Sequence, residues 1–259
     1  MNAWLSVMIL AVVQGLTEFL PVSSSGHLIL GKHLLGLQSP GLRLEIILHA
    51  GTLLALCVYF WRRLWTLATG ALKGEAAAWR MIAWLVLASL PAVLMYKFAL
   101  KHHMAAIESP VFAACGLLFT GLLLLTLMRS KESAGGMTWG RALLMGIAQA
   151  VAILPGVSRS GSTVAAGRHA GVVRSEAGEF AMLMSLPIIL GSLILDMMSG
   201  ELGSNGDVTT AMYAVGAAVA AVVGYAAVAV FMRILKSDYF WMFGVYCLIL
   251  GFTALAFLR

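Results

Sequence analysis

Along this chain apolar residues come in long runs, and polar residues gather in the gaps between them. Six runs look long enough to cross a bilayer, over residues 44–61, 81–96, 110–128, 180–198, 208–232 and 239–258. A span needs about 20 mostly apolar residues, fewer where interfacial side chains help. The second run is short and contains Pro91, so its ends are the least defined. Two further runs, 4–16 and 142–154, fall short. At ~1.5 Å per residue each reaches only ~20 Å, against a hydrocarbon core of ~30 Å. Each then meets a loop rich in Gly, Pro and Ser, and a second short apolar helix follows, over 27–37 and 163–173. The pattern predicts two re-entrant helical hairpins, over 4–37 and 139–173. Irregular backbone at membrane depth is tolerated only where it is buried in protein or lines a wet cavity.

The hairpins are related to each other. At an offset of 135 residues, without a gap, Trp4 meets Trp139, Gln14 meets Gln149, and "VSSSG" from Val22 overlies "VSRSG" from Val157. A weaker echo pairs Gly121 with Gly251 and Arg129 with Arg259. The chain therefore reads as two repeats, 1–131 and 132–259, each a hairpin plus three spans. Three is odd, so the second repeat is expected upside down relative to the first, an arrangement common around midplane sites. The fold expected is an all-α integral membrane protein with inverted repeats, one integrated membrane domain in which the two polar loops meet.

Composition agrees. Of the 259 residues 61% are hydrophobic and 11% charged, where a soluble domain carries about 25% charged residues. The formal charge is +6, but the basic residues sit in short clusters between apolar runs, which suits loops at a membrane surface and excludes a nucleic-acid partner. Lys and Arg fall eleven to five in favour of the side opposite the N-terminus, through Arg62, Arg63, Lys73, Arg80 and others against Lys32, Arg43, Lys97, Lys101 and Arg259. The positive-inside bias makes the richer side cytoplasmic and turns both termini outward. The acidic loop with Glu201 and Asp207 falls outside as well. Cys57, Cys115 and Cys247 all lie in apolar runs and suggest neither a disulfide framework nor a zinc site. The N-terminal run has no preceding basic residue and no small-x-small cleavage site, so it is not expected to be a secretory signal.

The chemistry is concentrated in the two loops. "PGVSRSGST", from Pro155 to Thr163, puts Arg159 at membrane depth, where an Arg costs at least ~2.5 kcal/mol on insertion scales and needs a partner. Guanidinium matches phosphate with two parallel hydrogen bonds, and N–H groups at a helix N-terminus favour an anion. The loop reads as a phosphate or diphosphate cradle; the alternative is a structural Arg paired with Glu18. It lacks the GK[ST] end of a nucleotide-binding P-loop. In the first loop, "EFLPVSSSGH", Glu18 lies one turn after Gln14 and faces the same way. Glu18 can hold a divalent cation through oxygen, act as general base or pair with Arg159. His27 can serve as general acid, nucleophile or structural donor. Ser24 aligns with Arg159 and is a candidate nucleophile or phosphate donor. Ser23, Ser25, Ser158, Ser160, Ser162 and Thr163 bind anions or cap helices; capping is the better reading for most of them. His49 reads as a packed, hydrogen-bonded histidine, and His102 and His103 as a solvated pair.

"QGLTEFLPVSSSGHL" and "LPGVSRSGST" resemble the two signature motifs of the bacterial undecaprenyl-diphosphatase, or bacitracin-resistance, family. The likeness extends over the whole chain in length, motif order and spacing. It implies a hydrolase of the bacterial cytoplasmic (inner) membrane that removes the terminal phosphate of undecaprenyl diphosphate. That reaction regenerates the carrier lipid for peptidoglycan and other cell-wall glycans and underlies the antibiotic resistance. Carried over, the family's acidic motif falls on Gln14 and Glu18, its serine and histidine on Ser24 and His27, and its phosphate-binding motif on Ser158, Arg159 and Thr163. Many members have Glu where this chain has Gln14, which is therefore expected to serve as a neutral oxygen ligand or hydrogen-bonding group. The expectation is Arg159 on phosphate oxygens, Glu18 and Gln14 on Mg²⁺ or Ca²⁺, and Ser24 attacking with His27 and Glu18 assisting. His27 itself or a metal-bound water remains open as the nucleophile. The polyprenyl tail would stay in the bilayer and reach the site between helices, through a headgroup cavity facing the periplasm or outside. The rival reading is a polyprenyl-phosphate transporter or flippase, which inverted repeats and broken helices fit equally well. A homo-oligomer is left open.

Overall fold

A computed structural model describes residues 3–35, 42–100, 104–130, 134–198 and 208–258. Lys101, His102, His103, Lys131, Glu201, Asp207 and Arg259, used above for orientation and candidate chemistry, lie outside the described residues. The described chain is helical throughout: α1 (Ala3–Thr17), α2 (Ser24–Leu35), α3 (Leu42–Tyr59), α4 (Trp61–Leu72), α5 (Ala76–Met95), α6 (Met104–Ile107), α7 (Pro110–Leu125), α8 (Trp139–Val151), α9 (Arg159–His169), α10 (Arg174–Leu183), α11 (Ser185–Met198), α12 (Thr210–Ile234) and α13 (Met242–Phe257). A π-helical turn, Tyr96–Leu100, extends α5, and a 3₁₀ turn, Thr126–Arg129, extends α7.

Hydroxyl side chains mark where helices start. Ser109 accepts from the Phe112 N–H with Pro110 at the first helical position, Thr138 accepts from Arg141 N–H, and Thr209 accepts from Met212 N–H. Each cap satisfies a backbone donor that has no partner inside its own helix. In the hairpins the same device moves helix starts ahead of the predicted ones. Ser23 accepts from Gly26 N–H and Ser158 from Gly161 N–H, so α2 begins at Ser24 rather than residue 27 and α9 at Arg159 rather than 163. Polar residues that read as loop are the first turns of helices.

Among the described residues four helices are long and apolar enough to cross a membrane: Ala76–Leu100, Pro110–Met128, Arg174–Leu195 and Thr210–Ile234. A fifth span is formed if Leu44–Tyr59 and Trp61–Leu72, bent by 72° at their junction, act as one. The second run is thus longer than its apolar stretch. Arg80 at its start lies 5.6 Å from the Trp84 ring centre, and such a cation can end an apolar helix by reaching toward water. The sixth run is shorter than expected, 16 residues in Met242–Phe257. Side chains such as Val222, 72% exposed, and Phe252, 63% exposed, turn outward to an extent that suits lipid rather than water.

The two hairpins exchange neighbours. α1 packs along α12 and α8 along α5, while α3 packs on α12 and α7 on α13. Apolar surface gives little drive to association in lipid, so close helix contact depends on small residues. A methyl added at Gly51 would overlap the Ala217 carbonyl, and one at Gly146 the Ala88 carbonyl. The largest core joins Phe19 in the turn of the first hairpin to Phe180, Met145 and Phe231, all nearly inaccessible. It packs the first hairpin's turn and the two helices of the second hairpin against α10 and α12.

Candidate active site

The first hairpin turn follows α1 directly. Glu18 N–H still bonds to the Gln14 carbonyl at 3.0 Å, so the carboxylate keeps its helical register beside Gln14. The chain then turns through Ser23, whose φ of 67° lies in the left-handed region. Such a conformation in a residue other than glycine costs about 1–3 kcal/mol and persists where surrounding contacts enforce it. Here the Ser23 carbonyl accepts both His27 N–H at 3.3 Å and the His27 ring at 2.8 Å, while its hydroxyl caps α2.

The second turn is clamped by α7. Thr120 donates its hydroxyl to the Gly156 carbonyl at 3.0 Å and accepts the Ser158 N–H at 2.9 Å. Gly156 has a φ of 83°, and a side chain there would overlap the Ala113 carbonyl. Only glycine combines that backbone with so close an approach. The two turns also touch each other: Ser160 donates to the Leu20 carbonyl at 3.1 Å.

Glu18 is the centre of the result. Its Oε1 accepts from Arg159 Nη2 at 2.5 Å, and its Oε2 accepts from Ser24 Oγ at 2.7 Å and Gln14 Nε2 at 3.1 Å. His49 Nε2 stands 3.8 Å from Oε2. The carboxylate is 7% exposed. A buried carboxylate is tolerable when paired and hydrogen-bonded on both oxygens, and this one has an arginine, an amide and a hydroxyl.

A cavity of about 320 Å³ opens beside this cluster. Glu18, Ser23, Ser24, Ser25, Ser158 and Arg159 line it, with Thr17, Glu45, His49, Gln149 and Ser192. The first residues of α2 and α9 therefore both border the same space, each bringing N–H groups that attract anions. The remaining predicted residues stand apart from it. Gln14 is fully buried behind Glu18. Thr163 bonds to the Arg159 carbonyl at 2.8 Å, and Ser160 is turned to Leu20. Ser162 is 3% exposed, with a hydroxyl that has no hydrogen-bond partner among the described residues. His27 stacks on Tyr246 with an interplanar angle of 6° and places Nε2 2.7 Å from the Tyr246 hydroxyl. Because Nδ1 faces a carbonyl it carries the proton, and Nε2 of the neutral ring accepts from Tyr246.

Several lining residues escaped the sequence reading. His49 was expected to be packed; its Nδ1 does bond to the Glu45 carbonyl at 2.8 Å, but its other nitrogen faces Glu18. Gln149 is 2% exposed, and neither amide atom has a partner among the described residues. Its alignment with Gln14 was the one available signal. Tyr246, which holds His27 rather than lining the cavity, gave none, lying 219 residues from His27.

Among the described residues no group of three or more His, Cys, Asp or Glu converges. The Glu18 carboxylate and the Ser24 hydroxyl at the cavity wall fit a hard cation, while Gln14 turns its Nε2 to Glu18 and keeps its Oε1 buried, without a hydrogen-bond partner among the described residues. Such a set suits Mg²⁺ or Ca²⁺ completed by phosphate oxygens and water rather than by a protein cage.

Residues 7–253 match the family described as Bacitracin resistance protein BacA. A protein of Rhodopirellula baltica described as undecaprenyl-diphosphatase is 40% identical over 257 residues, covering 97% of this chain and 96% of that protein. Proteins of the same description from Desulfatibacillum aliphaticivorans, 38% identical, and Rubrobacter xylanophilus, 41% identical, cover 97% and 88% of this chain and 98% and 88% of their own lengths.

Proposed function

The chain belongs to the bacitracin resistance protein family, and on that premise we propose that it is an undecaprenyl-diphosphatase, which hydrolyses undecaprenyl diphosphate to undecaprenyl phosphate and inorganic phosphate. One observation supports the reading most: Glu18, Ser24 and Arg159, from two separate hairpins, border one cavity at two helix N-termini. Hydroxyl, carboxylate and guanidinium on one cavity wall are the groups that phosphoryl transfer needs.

The reaction follows from those contacts. A diphosphate entering the cavity offers Arg159 a better partner than Glu18, two oxygens matched to the guanidinium fork. As Arg159 turns to the phosphate, it stabilises the charge that develops in the transition state. Glu18 is then left with the Ser24 hydroxyl, whose proton it already accepts. Ser24 Oγ attacks the terminal phosphorus, Glu18 takes the proton, and undecaprenyl phosphate leaves with the bridging oxygen. Water then attacks the phosphoserine, releases inorganic phosphate and restores Ser24. His27, held between Ser23 and Tyr246, is the second candidate for the attacking group. Gln149 supplies two unengaged polar atoms to the headgroup. A Mg²⁺ or Ca²⁺ ion held by Glu18, and by Gln14 once its amide turns Oε1 toward the carboxylate, would offset phosphate charge.

The same reading places the protein in the bacterial cytoplasmic membrane as two inverted repeats, with the cavity facing outward, where used carrier lipid is released. The test is phosphate release from undecaprenyl diphosphate by the purified protein in detergent. Release that Arg159→Lys abolishes supports the phosphatase; lipid transfer across liposomes without release would favour the flippase.

A further inference from the structure

The headgroup cavity has an apolar neighbour. A second cavity, about 280 Å³, lies between α5 and α11. Ala92, Val93 and Tyr96 form one wall, and Pro187, Gly191 and Leu195 the other. Three residues, Ile153, Ile188 and Ser192, border both cavities. The two cavities therefore adjoin at these three side chains, which stand between the polar space at Glu18 and Arg159 and one lined mostly by carbon.

Its walls are built to stay apart. α5 packs broadly on α8 but only lightly on α11. Pro91 sits inside α5, one turn before the π-helical turn Tyr96–Leu100. Proline removes one helical hydrogen bond and bends the helix, and a π turn adds a second irregularity beside the same cavity. On the opposite wall Gly191 leaves open space: a side-chain carbon built there meets no atom within 4 Å. Val93 and Leu195 are 52% and 55% exposed, so the space also communicates with the lipid-facing surface.

We infer that the gap between α5 and α11 is the channel for the substrate's isoprenoid tail. This rests on the reading that the substrate is a polyprenyl diphosphate. Such a molecule has a charged head joined directly to a long hydrocarbon chain. With its head against Arg159, the first isoprene units must leave the polar cavity through apolar surface, and the shared rim at Ile153 and Ile188 supplies it. The Ser192 hydroxyl marks the change from polar to apolar lining. The tail then passes Gly191 and reaches the bilayer without the head leaving its site.

Gly191→Trp, whose Cβ would meet no atom within 4 Å, should fill the channel, with Gly191→Ala as the tolerated control. The measured quantity is the ratio of kcat/KM for undecaprenyl diphosphate to that for dimethylallyl diphosphate, whose short tail does not need the channel. The ratio should fall roughly tenfold or more, the scale of lost contacts in a hydrophobic pocket. Val93→Trp, on the opposite wall at an exposed position, repeats the test if Gly191→Trp does not fold. An unchanged ratio in a folded variant would overturn the channel. Independently, an undecaprenyl diphosphate analogue with a diazirine in its first isoprene unit should cross-link to residues 187–195 or 92–96; labelling confined to other helices would also overturn it. Absence of phosphate release from wild-type protein would instead count against the phosphatase, and the cross-link would still read the channel because it needs binding alone.

Discussion

Arg159 and Glu18, 141 residues apart in the chain, meet through a hydrogen bond of 2.5 Å from guanidinium to carboxylate. Their side chains are 15% and 6% exposed. Of the two sequence readings of Arg159, the pair with Glu18 is the one this contact shows. Burial of a lone guanidinium or a lone carboxylate is costly, and each neutralises the other. The same contact leaves Arg159 at the cavity wall, where a phosphate can take the carboxylate's place.

Arg159→Lys keeps the charge and loses the planar fork. Phosphate release should show kcat/KM lower by at least ~10²-fold, about 2.7 kcal/mol, the scale of one lost transition-state donor. Near-normal turnover by a folded variant would remove Arg159 from the phosphate role.

Glu18→Gln should abolish stimulation by Mg²⁺ or Ca²⁺, and chelator added to the wild type should mimic it. The variant also leaves Arg159 without its counter-charge, so its thermal stability in detergent should drop, on the scale of about 3–5 kcal/mol for a broken buried pair. A stable variant still activated by the cation would mean that Glu18 neither holds the metal nor balances Arg159.

Ser24→Ala and His27→Ala separate the two attacking groups. Attack by Ser24 leaves an acid-stable phosphoenzyme in the wild type and almost no turnover in Ser24→Ala. An acid-labile, base-stable phosphoenzyme would assign the step to His27. Tyr246→Phe should leave the Ser24 route close to wild-type turnover, since the Tyr246 hydroxyl bonds to His27 rather than to Ser24.

Gln149→Leu removes two buried polar atoms that have no partner among the described residues. An unsatisfied buried group costs about 1–3 kcal/mol, so the variant should be as stable as the wild type or more so, while binding a non-hydrolysable diphosphate analogue less tightly. A destabilised variant with unchanged affinity would make Gln149 a structural residue.

Ser25 is exposed and borders the cavity. Ser25→Cys, in a background lacking Cys57, Cys115 and Cys247, should react with a membrane-impermeant maleimide added to intact spheroplasts. Labelling only from the cytoplasmic face of inverted vesicles would reverse the orientation. Ser162, at 3% exposure, is unsuited to the same experiment.

Composition and run length alone determined the membrane class, because a chain with 11% charged residues cannot cover itself with polar surface. The two short apolar runs before Gly/Pro/Ser loops marked α1 and α8 as short helices, since helix length is a direct product of residue number. Gln14 and Glu18 were legible as neighbours for the same reason: four residues make about one turn, and their side chains do bond. Tertiary structure decided which helices face which. Hydropathy says that a helix is apolar, not where its partner lies, and in lipid every helix is apolar. The placement of α3 on α12 and of α8 on α5 came instead from small residues such as Gly51 and Gly146, whose role depends on the backbone opposite. That packing brings Arg159 to Glu18, His49 and Gln149 to the cavity and His27 to Tyr246. None of these contacts has a local signature, because each joins residues whose nearness exists only after the helices have packed.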